Sequence, residues 1–93
     1  MDTQKDMKKA DRDVLAALCG HRIVVGAKQL RKALQRGRAR RVFLARNADP
    51  AITEPLEALC LQYCIQYAWV STMTDLGNAC GIEVGAAAAA AVD

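Results

Sequence analysis

A short run of polar side chains near residue 30 has the types and spacing needed to contact nucleic-acid bases and phosphates. Lys28, Gln29 and Lys32 follow Gly26 at the start of an expected helix. Lysine donates to guanine O6 and N7, and glutamine both donates and accepts on a base edge. The free N–H groups and dipole of a helix start attract anions. These residues alone leave two interpretations open. They form a site for phosphates and bases, or they belong to an ordinary amphipathic helix with a solvated basic face.

Basic residues are concentrated in one part of the chain. Residues 21–46 contain nine Lys and Arg residues and no acid, whereas residues 47–93 contain six acids and no Lys or Arg. The net charge of +3 therefore hides a one-sided distribution, which is typical of proteins that bind a polyanion. Seven of the nine are arginines, whose planar group donates two parallel hydrogen bonds to phosphate or guanine.

Residues that would support catalysis are few. His21 is the only histidine, and no partner that would orient it is evident. Glu54 and Glu57 are interpreted as first-turn acids that complement a helix dipole, not as an acid/base pair. The segment from Val25 to Lys28 lacks the second glycine and the Ser or Thr of a phosphate-binding loop. The sequence therefore predicts no enzyme and no catalytic residue.

The cysteines and aromatic residues are interpreted as core. None of the cysteines forms a C-x-x-C pair, so no metal and no cofactor is expected. They are expected to be small buried residues in a reducing cytoplasm. The four cysteines are Cys19, Cys60, Cys64 and Cys80. Core packing is also favoured over base stacking for Tyr63, Tyr67 and Trp69.

Strands and helices are expected to alternate along the chain. Hydrophobic spacing predicts helices over residues 7–18, 27–36 and 52–64, and strands over residues 23–25, 41–45 and 68–70. Asp49 or Thr53 is expected to cap the helix over 52–64, and Ser71 or Thr72 to begin a short helix ending near residue 79. The strand–helix–strand unit over residues 23–45 implies a parallel strand pair joined by a right-handed crossover.

The alanine-rich tail is ambiguous. Six consecutive alanines, residues 86–91, favour a helix by intrinsic propensity. The run follows Gly85 and has no polar face, so a strand buried between layers of helices fits equally well.

Length and composition indicate one domain over residues 1–93, with residues 1–12 as the segment expected to be flexible. The first fourteen residues are mostly charged or polar, which predicts no signal peptide. No apolar run approaches the ~20 residues of a membrane span. We therefore expect a cytoplasmic protein that does not contact membranes.

Three motifs resemble the bacterial branch of the L7Ae ribosomal protein family, in the family's order and spacing. They are the segments at residues 26–34 (GAKQLRKAL), 45–50 (ARNADP) and 76–87 (LGNACGIEVGAA). The resemblance covers residues 23–92. It implies a three-layer α/β/α sandwich around a mixed four-stranded sheet, which also favours a strand for the alanine tail.

The resemblance further implies binding to kink-turns, which are sharply bent RNA helices with tandem sheared G·A pairs. Lys28, Gln29 and Lys32 would contact the guanines, and Ile82, Glu83 and Val84 would cover the flipped-out nucleotide of the bulge. The expected partner is a structured RNA, ribosomal or regulatory, or the ribosome, bound by a monomer. The full expected set is Gly26, Ala27, Lys28, Gln29, Arg31, Lys32, Arg36, Arg46, Gly81, Ile82, Glu83 and Val84.

The chain departs from the family in three places. Cys64-Ile65-Gln66 stands where many members have a Gly-hydrophobic-Pro turn, and residues 1–13 carry no family motif. Gln29 replaces an acidic acceptor that the archaeal members have for guanine. Two alternative functions remain open: a protein–protein interaction module of the same superfamily, and ribosome-associated RNA binding without kink-turn specificity.

Overall fold

The computed structural model describes residues 22–92, which form four strands and three helices in alternation. The strands are β1 (Arg22–Val25), β2 (Ala39–Ala45), β3 (Tyr67–Val70) and β4 (Ala88–Val92). The helices are α1 (Ala27–Gln35), α2 (Pro50–Gln62) and α3 (Met73–Ala79). The helix expected over residues 7–18 lies outside the described residues.

The four strands form one mixed sheet in the order β1-β4-β2-β3. β4 is antiparallel to both of its neighbours, with Ala89 opposite Val25 and Ala88 opposite Leu44, whereas β2 and β3 are parallel. The expected parallel pairing of β1 with β2 is wrong. The two strands point the same way, but β4 lies between them and takes the hydrogen bonds of both. The connection through α1 leaves one strand position between β1 and β2, and β4 occupies it.

Every residue of β4 is buried, which confirms that the alanine tail is a strand. β4 lies between β1 and β2, with buried side-chain clusters on both faces of the sheet. Alanine side chains let the helical layers approach the middle of the sheet closely. This burial outweighs the helical propensity of alanine, which amounts to a few tenths of a kcal/mol per residue.

Helices cover both faces of the sheet. On one face, Leu30 and Leu34 of α1 and Leu56 of α2 pack with Val42 and Leu44 of β2. On the other, Leu76 of α3 packs with the next residues of the same strand, because successive side chains of a strand point to opposite faces. This arrangement is the expected α/β/α sandwich. No helix among the described residues is long and apolar enough to cross a membrane.

Of the two expected caps of α2, Asp49 is confirmed, and it accepts a hydrogen bond from the Ala51 N–H at 2.9 Å. The helix begins at Pro50, two residues earlier than expected. Glu54 and Glu57 therefore lie beyond the first turn, and their interpretation as first-turn acids is wrong. Glu57 instead accepts a hydrogen bond of 2.8 Å from the Tyr67 hydroxyl, which raises the pKa of Tyr67.

The turn after α2 departs from expectation at Cys64. This residue has φ of 58°, the left-handed conformation that favours glycine. Its thiol is exposed, so the expectation of a buried cysteine is wrong there, and Tyr63 is also exposed. Cys60 is fully buried as expected, and its burial, with the nearby charge of Glu57, raises the pKa of its thiol to about 11. Cys80 is half-buried.

Candidate nucleic-acid interface

Backbone hydrogen bonds bring three loops to one edge of the sheet. The N–H of Gly26, just before α1, donates to the carbonyl of Ala88 at 3.0 Å. The N–H of Ala45, at the end of β2, donates to the carbonyl of Ala87 at 2.9 Å. Arg46 continues past β2 and donates from its backbone to Val70 at 2.8 Å. The start of α1, the loop after β2 and the segment entering β4 are therefore neighbours. We call this the binding edge.

The N-terminus of α1 carries no side-chain cap. Gly26 occupies the cap position with φ of 100° and ψ of 150°, a conformation that is essentially restricted to glycine. A glycine cap leaves the first N–H groups of the helix without a side-chain acceptor, and the first turn contains no acidic residue. The positive end of the helix dipole thus faces outward at the binding edge, which suits an anionic ligand.

The side chains expected to read bases are exposed on this helix. Leu30, Ala33 and Leu34 are buried, which fixes the rotation of α1 against the sheet. Lys28, Gln29 and Lys32 consequently point to solvent, with Lys28 and Gln29 in the first turn and Lys32 one turn further on. Lys32 is a helical neighbour of both Lys28 and Gln29. That the three side chains contact a common ligand stays a prediction.

The loop between α3 and β4 is held against α3 at both of its ends. The Ile82 N–H donates to the Gly77 carbonyl at 3.1 Å, and the Ala86 N–H donates to the Met73 carbonyl at 3.0 Å. Ile82 packs partly into the core, whereas Val84 is 70% exposed. Of the two apolar residues expected to cover a nucleotide, Val84 supplies most of the exposed surface, and Ile82 anchors the loop.

Two positions that support this loop were missed by sequence reasoning. A Cβ on Gly77 would overlap the carbonyl oxygen of Val84, so glycine is required for the loop to approach α3. The Asn47 side chain accepts a hydrogen bond from the Met73 N–H at 2.8 Å and so joins the loop after β2 to the start of α3. Both residues lie inside the resembling motifs, and that was the signal available for them.

The remaining expected residues divide between the binding edge and other surfaces. The guanidinium carbon of Arg46 lies 6.0 Å from the centroid of the Trp69 ring, which positions this exposed charge near the binding edge. Gly81, with φ of 79°, turns the chain out of α3. Arg36 follows the last residue of α1, about 13 Å along the helix from its start. The expected RNA-binding residues therefore extend from the binding edge along α1.

Several other arginines of the basic segment lie at the opposite edge of the sheet. Arg22 begins β1 opposite Val92 at the end of β4, and Arg38 precedes β2. Arg40 and Arg41 are the second and third residues of β2, about 13–17 Å along the strand from its other end. The run of nine basic residues is therefore distributed over the length of the molecule.

The model of the ribosomal protein L7Ae/L30e/S12e/Gadd45 family matches residues 6–93, nearly the whole chain. The chain belongs to this family. Curated relatives agree with the assignment. An RNA-binding protein of Bacillus pumilus is 44% identical over 68 residues, covering 73% of this chain and 83% of the relative. An RNA-binding protein of Caldanaerobacter subterraneus is 37% identical over 78 residues, covering 84% and 95%.

Two solved structures have a fold similar to that of this L7Ae-family chain. The 15.5 kD RNA-binding protein of Giardia lamblia superposes with a TM-score of 0.72 at 30% identity, over 76% of this chain and 60% of that one. A Bacillus halodurans protein of unknown function superposes with a TM-score of 0.71 over 89% and 79% of the two chains. At 24% identity this second likeness concerns the fold alone.

Proposed function

We propose that this L7Ae-family protein is a non-enzymatic RNA-binding module that recognises kink-turns. One observation carries the proposal. Backbone hydrogen bonds through Ala87 and Ala88 join the glycine-capped start of α1 and the end of β2 to the segment that follows the Val84 loop. A bent RNA offers a widened groove and an extruded nucleotide at one place, so a protein needs polar donors and an apolar contact side by side.

Each part of the binding edge has a separate role in this proposal. The helix start and Arg46 attract phosphates, which contributes affinity with little sequence preference. Lys28, Gln29 and Lys32 donate to the guanine edges of the sheared G·A pairs, with Gln29 also able to accept from a base amino group. Val84 covers the extruded nucleotide, whose face is apolar.

The same proposal covers the partner and its setting. The ligand is a structured RNA, ribosomal or regulatory, bound by a monomer in the cytoplasm. The curated relatives described above are named RNA-binding proteins, which supports an RNA partner and a role other than catalysis. Within residues 22–92, no group of three or more His, Cys, Asp or Glu side chains is positioned to hold a metal ion.

Titration of the protein against two RNAs tests this function. One RNA contains a kink-turn, and the other has its tandem G·A pairs replaced by Watson–Crick pairs at equal length. We expect clearly tighter binding to the kink-turn RNA at physiological salt. Equal affinity for both would reject kink-turn recognition and leave general RNA binding. Binding to neither would reject an RNA ligand and favour a protein partner.

A further inference from the structure

A groove of about 240 Å³ runs between α1 and β1, which is an outermost strand of the sheet. Gln29, Lys32 and Arg36 of the α1 side form one wall, and the other wall comes from Arg22 of β1 and from Arg38, which precedes β2. Its floor is apolar and comes from β1, β4 and α1. Of the described residues that line it, four are cationic and none is acidic. This concentration of one charge favours an anionic ligand in the groove.

The groove begins at the binding edge and leads away from it. Gln29 and Lys32 belong both to the groove and to the side chains proposed to contact bases. Arg22 and Arg38 lie at the opposite edge of the sheet, where β1 and β2 begin. A nucleic-acid strand bound at the start of α1 would therefore continue in the groove along the helix, toward Arg22 and Arg38 at the opposite edge of the sheet.

The lining residues suit a phosphate backbone more than base edges. From Gln29 to Arg36 the helix rises about 10 Å, which matches roughly three phosphates of one duplex strand. Arginine binds phosphate bidentately through its planar fork, and three of the four cations are arginines. Beyond Gln29 the described polar lining residues are all cations, which donate and do not accept hydrogen bonds. Lys32, at the start of the groove, is assigned to a guanine, whereas the arginines beyond it would contact phosphates, which hold a strand without reading its sequence.

We propose that this groove binds the phosphate backbone of an RNA stem flanking the kink-turn, so that the footprint extends beyond the motif itself. The inference rests on the proposed function, because it takes the RNA at the binding edge as its starting point. Arg22 and Arg38 are then RNA-binding residues, although they lie at the edge of the sheet opposite to the start of α1. Arg41 lies on the other face of the sheet, with its guanidinium carbon 5.7 Å from the Phe43 ring centroid, and takes no part.

The test compares a minimal kink-turn RNA with RNAs in which one stem or the other is extended by several base pairs. Extending one of the two stems should tighten binding of the wild-type protein several-fold and steepen its salt dependence. Arg38→Gln and Arg22→Gln should each remove most of this gain and lower the salt slope by about one. Arg41→Gln removes the same charge from an exposed site outside the groove and should keep the gain.

Each outcome separates this inference from the proposed function. A wild-type affinity that is independent of the length of both stems would overturn the groove assignment while kink-turn recognition stands. Equal losses in Arg38→Gln and Arg41→Gln would also overturn it, because the effect would then be one of net charge. A third outcome is that RNAs with G·A pairs and RNAs with Watson–Crick pairs bind equally well, and that stem extension tightens binding equally in both. The groove would then bind RNA stems, and kink-turn recognition would be rejected.

Discussion

The Cα of Gly77 lies directly against the backbone carbonyl of Val84, so that a Cβ on Gly77 would overlap the carbonyl oxygen. Gly77 is a residue of α3, and Val84 is the most exposed apolar residue of the loop that follows this helix. The contact, with the hydrogen bond from the Ile82 N–H to the Gly77 carbonyl, holds the loop close to the helix. The glycine in the helix therefore determines where Val84 is presented.

Gly77→Ala should displace the loop and weaken RNA binding. Alanine would gain up to about 1 kcal/mol of helix propensity, but overlap with a backbone atom typically costs about 1–3 kcal/mol. We expect lower stability in urea unfolding and reduced affinity for kink-turn RNA. Ala58→Gly, at an exposed position of α2, should cost about 0.5–1 kcal/mol and leave affinity unchanged. Undiminished affinity in Gly77→Ala would contradict the role of this contact.

Val84→Ser should reduce affinity for a kink-turn RNA without reducing stability. The side chain is 70% exposed, so its replacement removes little buried apolar surface from the fold. The loss should appear in titrations with RNA that has an extruded nucleotide and disappear when the bulge is deleted. Leu61→Ser is the matched control, because Leu61 is 66% exposed on α2. Equal effects of the two variants would argue against a nucleotide contact at Val84.

Asn47→Ala and Asn47→Asp should separate the stability of the binding edge from its charge. Alanine removes the acceptor of the Met73 N–H in an exposed hydrogen bond, a loss of about 0.5–1.5 kcal/mol in the free energy of unfolding. Aspartate keeps an acceptor there and should preserve stability, but it adds a negative charge at the binding edge. We expect Asn47→Asp to bind RNA more weakly at low salt than the wild-type protein does. An unchanged RNA affinity would indicate that phosphates lie far from this loop.

Cys64→Gly should stabilise the protein. Cys64 has φ of 58°, and a residue with a Cβ in the left-handed conformation costs about 1–2 kcal/mol. Glycine removes most of this cost, although it increases the entropy of the unfolded chain, so we expect a net gain of about 1 kcal/mol. Cys64→Ala retains the Cβ and should show no comparable gain in urea unfolding. Equal stability of the two variants would show that the backbone is unstrained there.

Local patterns predicted most elements of this fold but not their pairing. The spacing of Leu30, Ala33 and Leu34 predicted α1 and the exposure of its basic face, because a helix turns by 100° at each residue. The position of β4 between β1 and β2 depends on pairing between distant segments, which no local period encodes. The apolar positions of α2 begin at Ile52 and therefore placed its start two residues late, although Asp49, which determines the boundary at Pro50, was one of the two expected caps.

The candidate site was predicted in part for the same reasons. Lys28, Gln29 and Lys32 follow from helical spacing and from the resemblance to the family. The inward packing of Ile82 did not follow, because a glycine-flanked loop has no periodicity from which to assign an inner side. The groove containing Arg22 and Arg38 was also beyond the sequence, since those residues meet α1 only once β1 and β2 are placed in the sheet.

Recognition of G·A pairs by the α1 side chains is tested most directly by a double-mutant cycle between protein and RNA. Four dissociation constants are measured at one salt concentration, for wild-type protein and Lys32→Ala, each with kink-turn RNA and with RNA carrying Watson–Crick pairs. If Lys32 contacts a guanine of a sheared pair, the two changes should be coupled by about 1–3 kcal/mol. Strictly additive effects would mean that Lys32 contacts only phosphate and would contradict the account.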